Sequence, residues 1–390
     1  MTLLPAMDVA GRLDRLRARF GEAGSVPERR TGSVPERRTG SVPERQSGSV
    51  DALLVTWLPN VRYLTGFTGS SAMLLVTGDT AVFTSDGRYR TQAGEQLGAL
   101  GVDATVEIGA TLTEQRDALA RALEPGARLG LEAHAVSWSQ QRVFASAFAG
   151  HDLVATEGLV EQLRQVKEPG EVARIGAACA IADDALAALL PTLGGRSERD
   201  FALDLEIEMR RRGASGNSFD PIVASGPNAA KPHARPSERV VERGELVVID
   251  FGCVVDGYCS DMTRTVSVGE PGPEARRIWD VVRESQAAGR DAVRAGVDCA
   301  AVDAACRDVI VAAGWGDAFV HSTGHGVGLE IHEAPRVAAT ASDTLESGFV
   351  VTVEPGVYLP GVGGARIEDT VVVTSDGSEP LTAFPKELVL

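Results

Sequence analysis

Apolar and polar positions change rhythm several times along this chain, and each change marks an element. Asp51-Ala-Leu-Leu-Val reads as a short strand, with Met73–Val76 and Ala81–Thr84 as two more on either side of the turn signal Gly78-Asp79. Apolar residues recur at helical spacing over 111–123 and 137–148. Helices alternating with strands from 50 to 158 predict a compact α/β unit. Two longer helical stretches follow, at about 168–190 and 197–212. The first opens on Lys167-Glu168-Pro169-Gly170, with proline in its first turn. Glu245–Phe251 reads as a strand, 273–295 and 301–313 as helices, and the last third of the chain is rich in strand pattern. The fold class is therefore α+β, with an α/β domain over 51–158 and a larger domain over 159–390.

Residues 1–50 stand apart. MTLLPAMDVAGRLDRLRARF lacks the basic-then-apolar order of a signal peptide and predicts a short amphipathic helix. An octad then repeats, as GSVPERRT at 24–31 and 32–39 and GSVPERQS at 40–47. Its one large apolar residue is valine, so it cannot bury a core and is expected to be a disordered or loosely extended linker. The Arg two residues after each Pro leaves a basic docking arm as the other reading. The full 390 residues are too many for one typical core, which fits two domains. Acidic residues outnumber basic ones by 54 to 38, and the resulting net charge of −16 repels phosphate backbones, so no nucleic acid partner is expected. No apolar run approaches the roughly 20 residues of a membrane span, so no membrane partner is expected either. Five cysteines (Cys179, Cys253, Cys259, Cys299, Cys306) form no CxxC pair and suit free thiols in a reducing cytoplasm.

Candidate chemistry is concentrated in the second domain. Of the six histidines, three fall within HSTGHGVGLEIHEAP. His321 and His325 are four apart, as two ligands on a helix would be. However, Gly324, Gly326 and Gly328 would each cost a helix about 1 kcal/mol, so an extended segment is expected. The same glycines do not spell GxGxxG, which excludes a nucleotide site. Upstream, ELVVIDFGCVVDGYCSDMTRTVSV carries Asp256-Gly257 between alternating apolar runs, the signal for a two-residue primed hairpin turn. Val255 then pairs with Tyr258. Counting outward sets Asp250 opposite Thr263 and Asp261 diagonal to Asp250 on the same face. Diagonal neighbours lie about 7–8 Å apart, a span two carboxylates can bridge through a cation. Buried together without one, they would suffer severe repulsion and desolvation. A solvated strand end for one aspartate is the plainer alternative, weakened by the four apolar residues before Asp250. Cys259 shares parity with Asp261 and is expected in the core, not as a ligand. Glu354 ends an apolar strand at Pro355-Gly356, and Glu368 begins the next after a glycine-rich loop, with Arg366 on its face by parity. Pairing of Arg366 with Glu368 would account for one buried glutamate and not both. One imidazole and four carboxylates suit two hard or borderline divalent cations, manganese or cobalt better than a thiolate zinc site.

These residues, taken together, resemble the pita-bread metallopeptidases, peptidase family M24. The resemblance runs through DFGCVVDGYCSDMTRT, HSTGHGVGLEIHEAP, EPGVYLPGVGG and RIEDTVVVT, and covers essentially residues 160–390. NVRYLTGFTGSSAMLLVT and TSDGRYRTQA likewise resemble the family's creatinase-type N-terminal domain. The resemblance implies a creatinase-like α/β domain followed by a pita-bread catalytic domain. It implies Asp250, Asp261, His325, Glu354 and Glu368 as ligands of two divalent metal ions, with Asp261 and Glu368 bridging. Manganese is the expected ion, with cobalt or zinc as alternatives. It marks His233, in KPHARP, and His321 and His332 as histidines lining the site, and Arg366 as an arginine behind the last ligand. In the implied mechanism a water between the metals attacks the scissile carbonyl, Glu354 handles its proton, and His332 stabilises the oxyanion. Methionine aminopeptidases generally lack so large an N-terminal domain and creatinase lacks this ligand set, which leaves the prolidase and aminopeptidase P branch. Arg336 matches a substrate-carboxylate arginine of some microbial prolidases, which favours an Xaa-Pro dipeptidase acting on proline-containing dipeptides. An aminopeptidase P and a non-catalytic scaffold are the alternatives. Phe219 and Ile222, in SFDPIV, are candidates for the pocket wall or for plain core. The resemblance also implies a homodimer.

Overall fold

Strand-forming runs separated by turn residues build one sheet in the first of two units. The computed structural model describes residues 4–21 and 49–390, and the chain divides into Asp8–Leu163 and a second unit of Arg164–Leu390 with Met1–Met7. The octad repeat at 24–47 lies outside the described residues. In the first unit the elements run α1 (Arg12–Arg17), β1 (Ala52–Val55), α2 (Leu58–Thr65), β2 (Met73–Thr77), β3 (Ala81–Ser85), α3 (Arg90–Ala99), β4 (Thr105–Ile108), α4 (Leu112–Ala120), β5 (Arg128–Glu132), α5 (Trp138–Ala147) and β6 (Asp152–Thr156). The sheet order is β4-β3-β2-β1-β5-β6. Its centre is an antiparallel meander and its flanks are parallel, joined by helical crossovers as parallel pairs require. Leu54, Leu75, Leu129, Phe144 and Phe148 form its core. The short N-terminal helix expected from the sequence is α1, six residues long. Pro5 disfavours helix at the residue before it, and Leu4 instead packs into the core of the second unit.

The boundary falls within α6 (Glu161–Gln165), after which α7 (Pro169–Leu189) begins at Pro169 with a reciprocal cap between Glu168 and Glu171. The order continues through α8 (Glu198–Arg211), β7 (Gly216–Asn217), β8 (Ile222–Ser225), β9 (Leu246–Phe251), β10 (Cys253–Val255), β11 (Tyr258–Cys259), β12 (Met262–Ser267), α9 (Pro273–Ala292), α10 (Cys299–Ala312), β13 (Gly324–Gly326), β14 (Glu333–Val337), β15 (Val350–Val353), β16 (Gly356–Leu359), β17 (Gly363–Arg366), β18 (Asp369–Val373) and β19 (Ser378–Pro380). Two apolar cores flank the strands. Ala178, Leu186, Phe201 and Leu205 of α7 and α8 pack on Val223, Ile249 and Met262. Trp279, Val282 and Val302 of α9 and α10 pack on Val351, Val353 and Val371. Strands buried on both sides this way hold polar residues only where something else compensates them. Among the described residues no helix is long and apolar enough to cross a membrane, and all five cysteines are free and buried.

The hairpin turn has Asp256 at φ +46° and Gly257 at +81°, both in the left-handed region a primed turn demands. Val255 pairs with Tyr258, and the same register reaches Phe251 opposite Met262 and Asp250 opposite Thr263. Between these ladders the ribbon folds over, so β10 and β11 belong to one small sheet and β9 and β12 to another. The fold-over needs glycine at 252, where a Cβ would lie 1.9 Å from the Ser260 carbonyl oxygen. Gly252→Ala is therefore expected to lower stability by about 2 kcal/mol or more, the cost of forcing backbone apart in a packed interior. An unchanged urea-unfolding midpoint would refute this account of the bend.

Candidate metal centre

Five strand ends and connections deliver the chelating residues. Asp250 lies within β9, Asp261 just before β12, and His325 at the centre of β13. Glu354 sits between β15 and β16, and Glu368 between β17 and β18. All five line one cavity of about 1000 Å³, as do His233, His321, His332, Arg336 and Arg366. One ligand atom each from Asp261, His325 and Glu368 lies within 4.8 Å of the others. His325 Nε2 is 3.2 Å from Glu354 Oε1 and 3.6 Å from Asp261 Oδ2. Arg336 stands directly opposite His325 in the β13–β14 pairing and is exposed. Phe219 and Ile222 line the same cavity. Cys259 does not; it packs with Ile175, Val327 and Val350, and burial pushes its thiol up to about 12.

The pairing of Arg366 differs from the expectation. Its Nη2 donates to Asp250 Oδ2 at 2.5 Å, its Nη1 to Tyr358 Oη at 2.7 Å, and its Nε to Thr263 Oγ1 at 3.1 Å. Glu368 instead accepts from Thr263 Oγ1 at 2.7 Å. Arg366 and Glu368 do share a side, since both line the cavity and both meet Thr263 Oγ1, but the charge of the arginine goes to Asp250. Tyr358 Oη also meets His321 Nε2 at 2.9 Å, and His321 Nδ1 lies 2.8 Å from the Ser322 carbonyl. A carbonyl only accepts, so Nδ1 carries the proton and Nε2 accepts from the tyrosine.

The same reasoning sets up His325. Its Nδ1 faces the Gly326 carbonyl at 3.0 Å, so a neutral ring aims its Nε2 lone pair at two carboxylates. A proton on Nε2 or a cation between the groups relieves that repulsion. Burial alone would lower the His325 pKa, but the hydrogen bond and charge of Glu354 outweigh it and raise it. Burial likewise pushes Glu354 up, and His325 outweighs it to bring Glu354 to about 2. Asp250, Asp261 and Glu368 all rise above the usual carboxylate range, chiefly through burial, with neighbouring carboxylates adding to it. Asp250 Oδ1 and Glu368 Oε1 are buried with no hydrogen-bond partner. Orphaned oxygens, crowded like charges and an imidazole lone pair aimed at them all fit divalent cations.

Comparison with known proteins agrees. The model of metallopeptidase family M24 matches residues 173–375, and that of the creatinase/prolidase N-terminal domain matches 44–166. A Bacillus subtilis protein called uncharacterized peptidase YqhT is 41% identical over 342 residues, 87% of this chain and 96% of its own length. The chain belongs to metallopeptidase family M24. Among solved structures, an Xaa-Pro dipeptidase from Bacillus anthracis matches with TM-score 0.87 and 38% identity, covering 98% of this chain and 100% of that one. An X-Pro aminopeptidase from Thermotoga maritima matches with TM-score 0.80 and 36% identity, covering 87% and 98%.

This M24 member holds site residues that the sequence did not single out. Tyr358 lies in EPGVYLPGVGG, and its diagonal to Arg366 across β16 and β17 is the signal that could have found it. Glu333, next to His332, is another. Its carboxylate accepts from Arg164 Nη2 and, at 3.1 Å, from Lys167 Nζ, with all three side chains nearly inaccessible. This bridge pins the segment that carries His332 into the cavity. Burial pushes the Glu333 pKa up, but Lys167 and Arg164 outweigh it and hold it below 4.5. A depressed carboxylate contributes stability above its unfolded pKa and loses it as pH falls. Glu333→Gln is therefore expected to cost about 3 kcal/mol near pH 7, by removing the carboxylate that Lys167 pairs with and leaving Arg164 with Glu330. The gap between wild type and variant should narrow as pH falls below 4.5. A gap in urea-unfolding stability that stays constant through acid would refute the ion-pair account.

Proposed function

We propose that the chain is an Xaa-Pro dipeptidase, with two divalent cations held by Asp250, Asp261, His325, Glu354 and Glu368, and with Asp261 and Glu368 shared between them. The observation that carries this reading is the convergence of those five side chains on one cavity that also presents Arg336. Manganese suits one imidazole and four carboxylates best, with cobalt and zinc as further candidates. When bound, the cations would polarise the scissile carbonyl and lower the pKa of a water. Glu354 Oε1 is held by Thr352 Oγ1 at 3.1 Å and is placed to accept the proton that the attacking water gives up. His332 stands with its ring 4.4 Å from that of His325, and burial lowers its pKa. As a neutral donor on the cavity wall it would stabilise the developing oxyanion. His233 lies on the opposite segment, where Arg366 Nη1 holds the Pro232 carbonyl at 3.2 Å, and would contact the substrate. Arg336 would clamp the proline carboxylate.

The aminopeptidase reading has support of its own. The Thermotoga maritima structure is named as such, and about 1000 Å³ is more room than a dipeptide needs. A cytoplasmic location is supported by the buried free thiols, and a homodimer by the family resemblance.

Hydrolysis of Ala-Pro against Ala-Pro-Ala, by protein stripped with a chelator and reloaded with manganese, separates the readings. The expected outcome is no turnover when stripped, and preference for the dipeptide when loaded. Arg336→Ala should then cut kcat/KM on Ala-Pro by roughly 10- to 100-fold, the worth of a charge-assisted clamp, and spare Ala-Pro-Ala. Preference for the tripeptide would make the chain an aminopeptidase. Silence on both with metal bound would favour another amide substrate or a scaffold.

A further inference from the structure

Three threonines, Thr263, Thr352 and Thr370, are fully buried beside the chelating residues without belonging to them. Thr352 Oγ1 accepts from the His325 backbone N–H at 3.1 Å and donates to Glu354 Oε1 at 3.1 Å. Thr263 Oγ1 donates to Glu368 Oε2 at 2.7 Å and accepts from Arg366 Nε, whose Nη2 holds Asp250. Thr370, directly across from Thr352, donates to the Asp261 carbonyl at 2.8 Å. A hydroxyl that both accepts and donates ties two neighbours into one geometry. Thr352 therefore couples His325 with Glu354, and Thr263 couples Glu368 with Asp250 through the guanidinium. Thr370 places Asp261, which like Glu368 is shared between the two cations, through its backbone.

Side-chain chemistry and backbone agree on these couplings. A β-branched residue in a buried strand has a restricted χ1, so its hydroxyl is fixed where serine's would swing. Gly324 lets β13 approach: a Cβ there would sit 2.0 Å from the Thr352 carbonyl oxygen, and the His325 N–H could not reach Thr352. We propose that Thr352 and Thr263 are positioning residues with different reach: Thr352 sets the affinity of the cation held by His325 and Glu354, whereas Thr263, acting on the shared Glu368 and through Arg366 on Asp250, sets the affinity of both. The proposal rests on the ligand set named above, but not on the choice of substrate.

The test is calorimetric titration of manganese(II) into chelator-stripped full-length wild type, Thr352→Val, Thr263→Val and Thr352→Ser, with melting temperatures taken before and after loading. Valine keeps the shape and removes the hydroxyl. Thr352→Val is expected to weaken one of two binding steps by about 10- to 100-fold, the usual effect of losing an outer hydrogen bond to a metal ligand, and to leave the other near wild type, whereas Thr263→Val should weaken both. Thr352→Ser should recover most of the loss. Equal weakening of both steps by both variants would overturn the difference in reach. So would unchanged binding with a lowered melting temperature of the stripped protein, which is what a purely structural role produces. Absence of binding in wild type would overturn the ligand set and the proposal together. Since no substrate enters the titration, failure of the dipeptidase reading alone would leave its result intact.

Discussion

Four carboxylates and an imidazole converge in a space closed off by two apolar cores, and among the described residues the cation in ion-pair contact with those carboxylates is Arg366. Like charges at such separations repel strongly where the effective dielectric is low. The ligands cannot hold one another in place, so the backbone must do it. Asp250 and His325 sit inside strands, and Asp261, Glu354 and Glu368 sit where one strand gives way to the next. Those strands are fixed from outside by Leu, Val and Phe packing, whose burial supplies the free energy that keeps the acids together. The cost of the centre is thus met far from it, by helices α7 to α10.

That division explains which parts of the centre could be read from the sequence. The hairpin was legible because its register follows from one local signal, Asp256-Gly257, and simple counting carried the register to Asp250 and Thr263. The extended conformation at His325 was legible because three nearby glycines are poor helix formers. Parity put Arg366 on the side of Glu368, and its backbone, bound on both sides by Thr265 Oγ1 at 3.0 and 2.7 Å, runs on to the Glu368 N–H at the Thr263 carbonyl. What counting could not supply was its charge partner, Asp250, 116 positions away. Thr352 and Glu333 gain their meaning from segments that meet across long stretches of sequence, and no local pattern announces such meetings. The short N-terminal helix was legible too, as α1, because its apolar spacing is local.

Polarity in the hydrogen-bond chain decides how the histidines can divide the labour. From Arg366 the donors run to Tyr358, from Tyr358 to His321 Nε2, and from His321 Nδ1 to the Ser322 carbonyl. Each step is forced: a guanidinium has no acceptor, and a carbonyl has no proton. Burial keeps the His321 pKa low and drives Tyr358 up to about 12, so neither group departs from this arrangement near neutral pH. His321 lines the cavity, yet both of its nitrogens are engaged, and it can neither take a proton from a substrate water nor give one without breaking the chain that steadies Asp250. His321 and Tyr358 thus keep the Arg366 fork, and through it Asp250, in one orientation, which leaves the proposed proton and oxyanion roles to Glu354 and His332 on the same cavity.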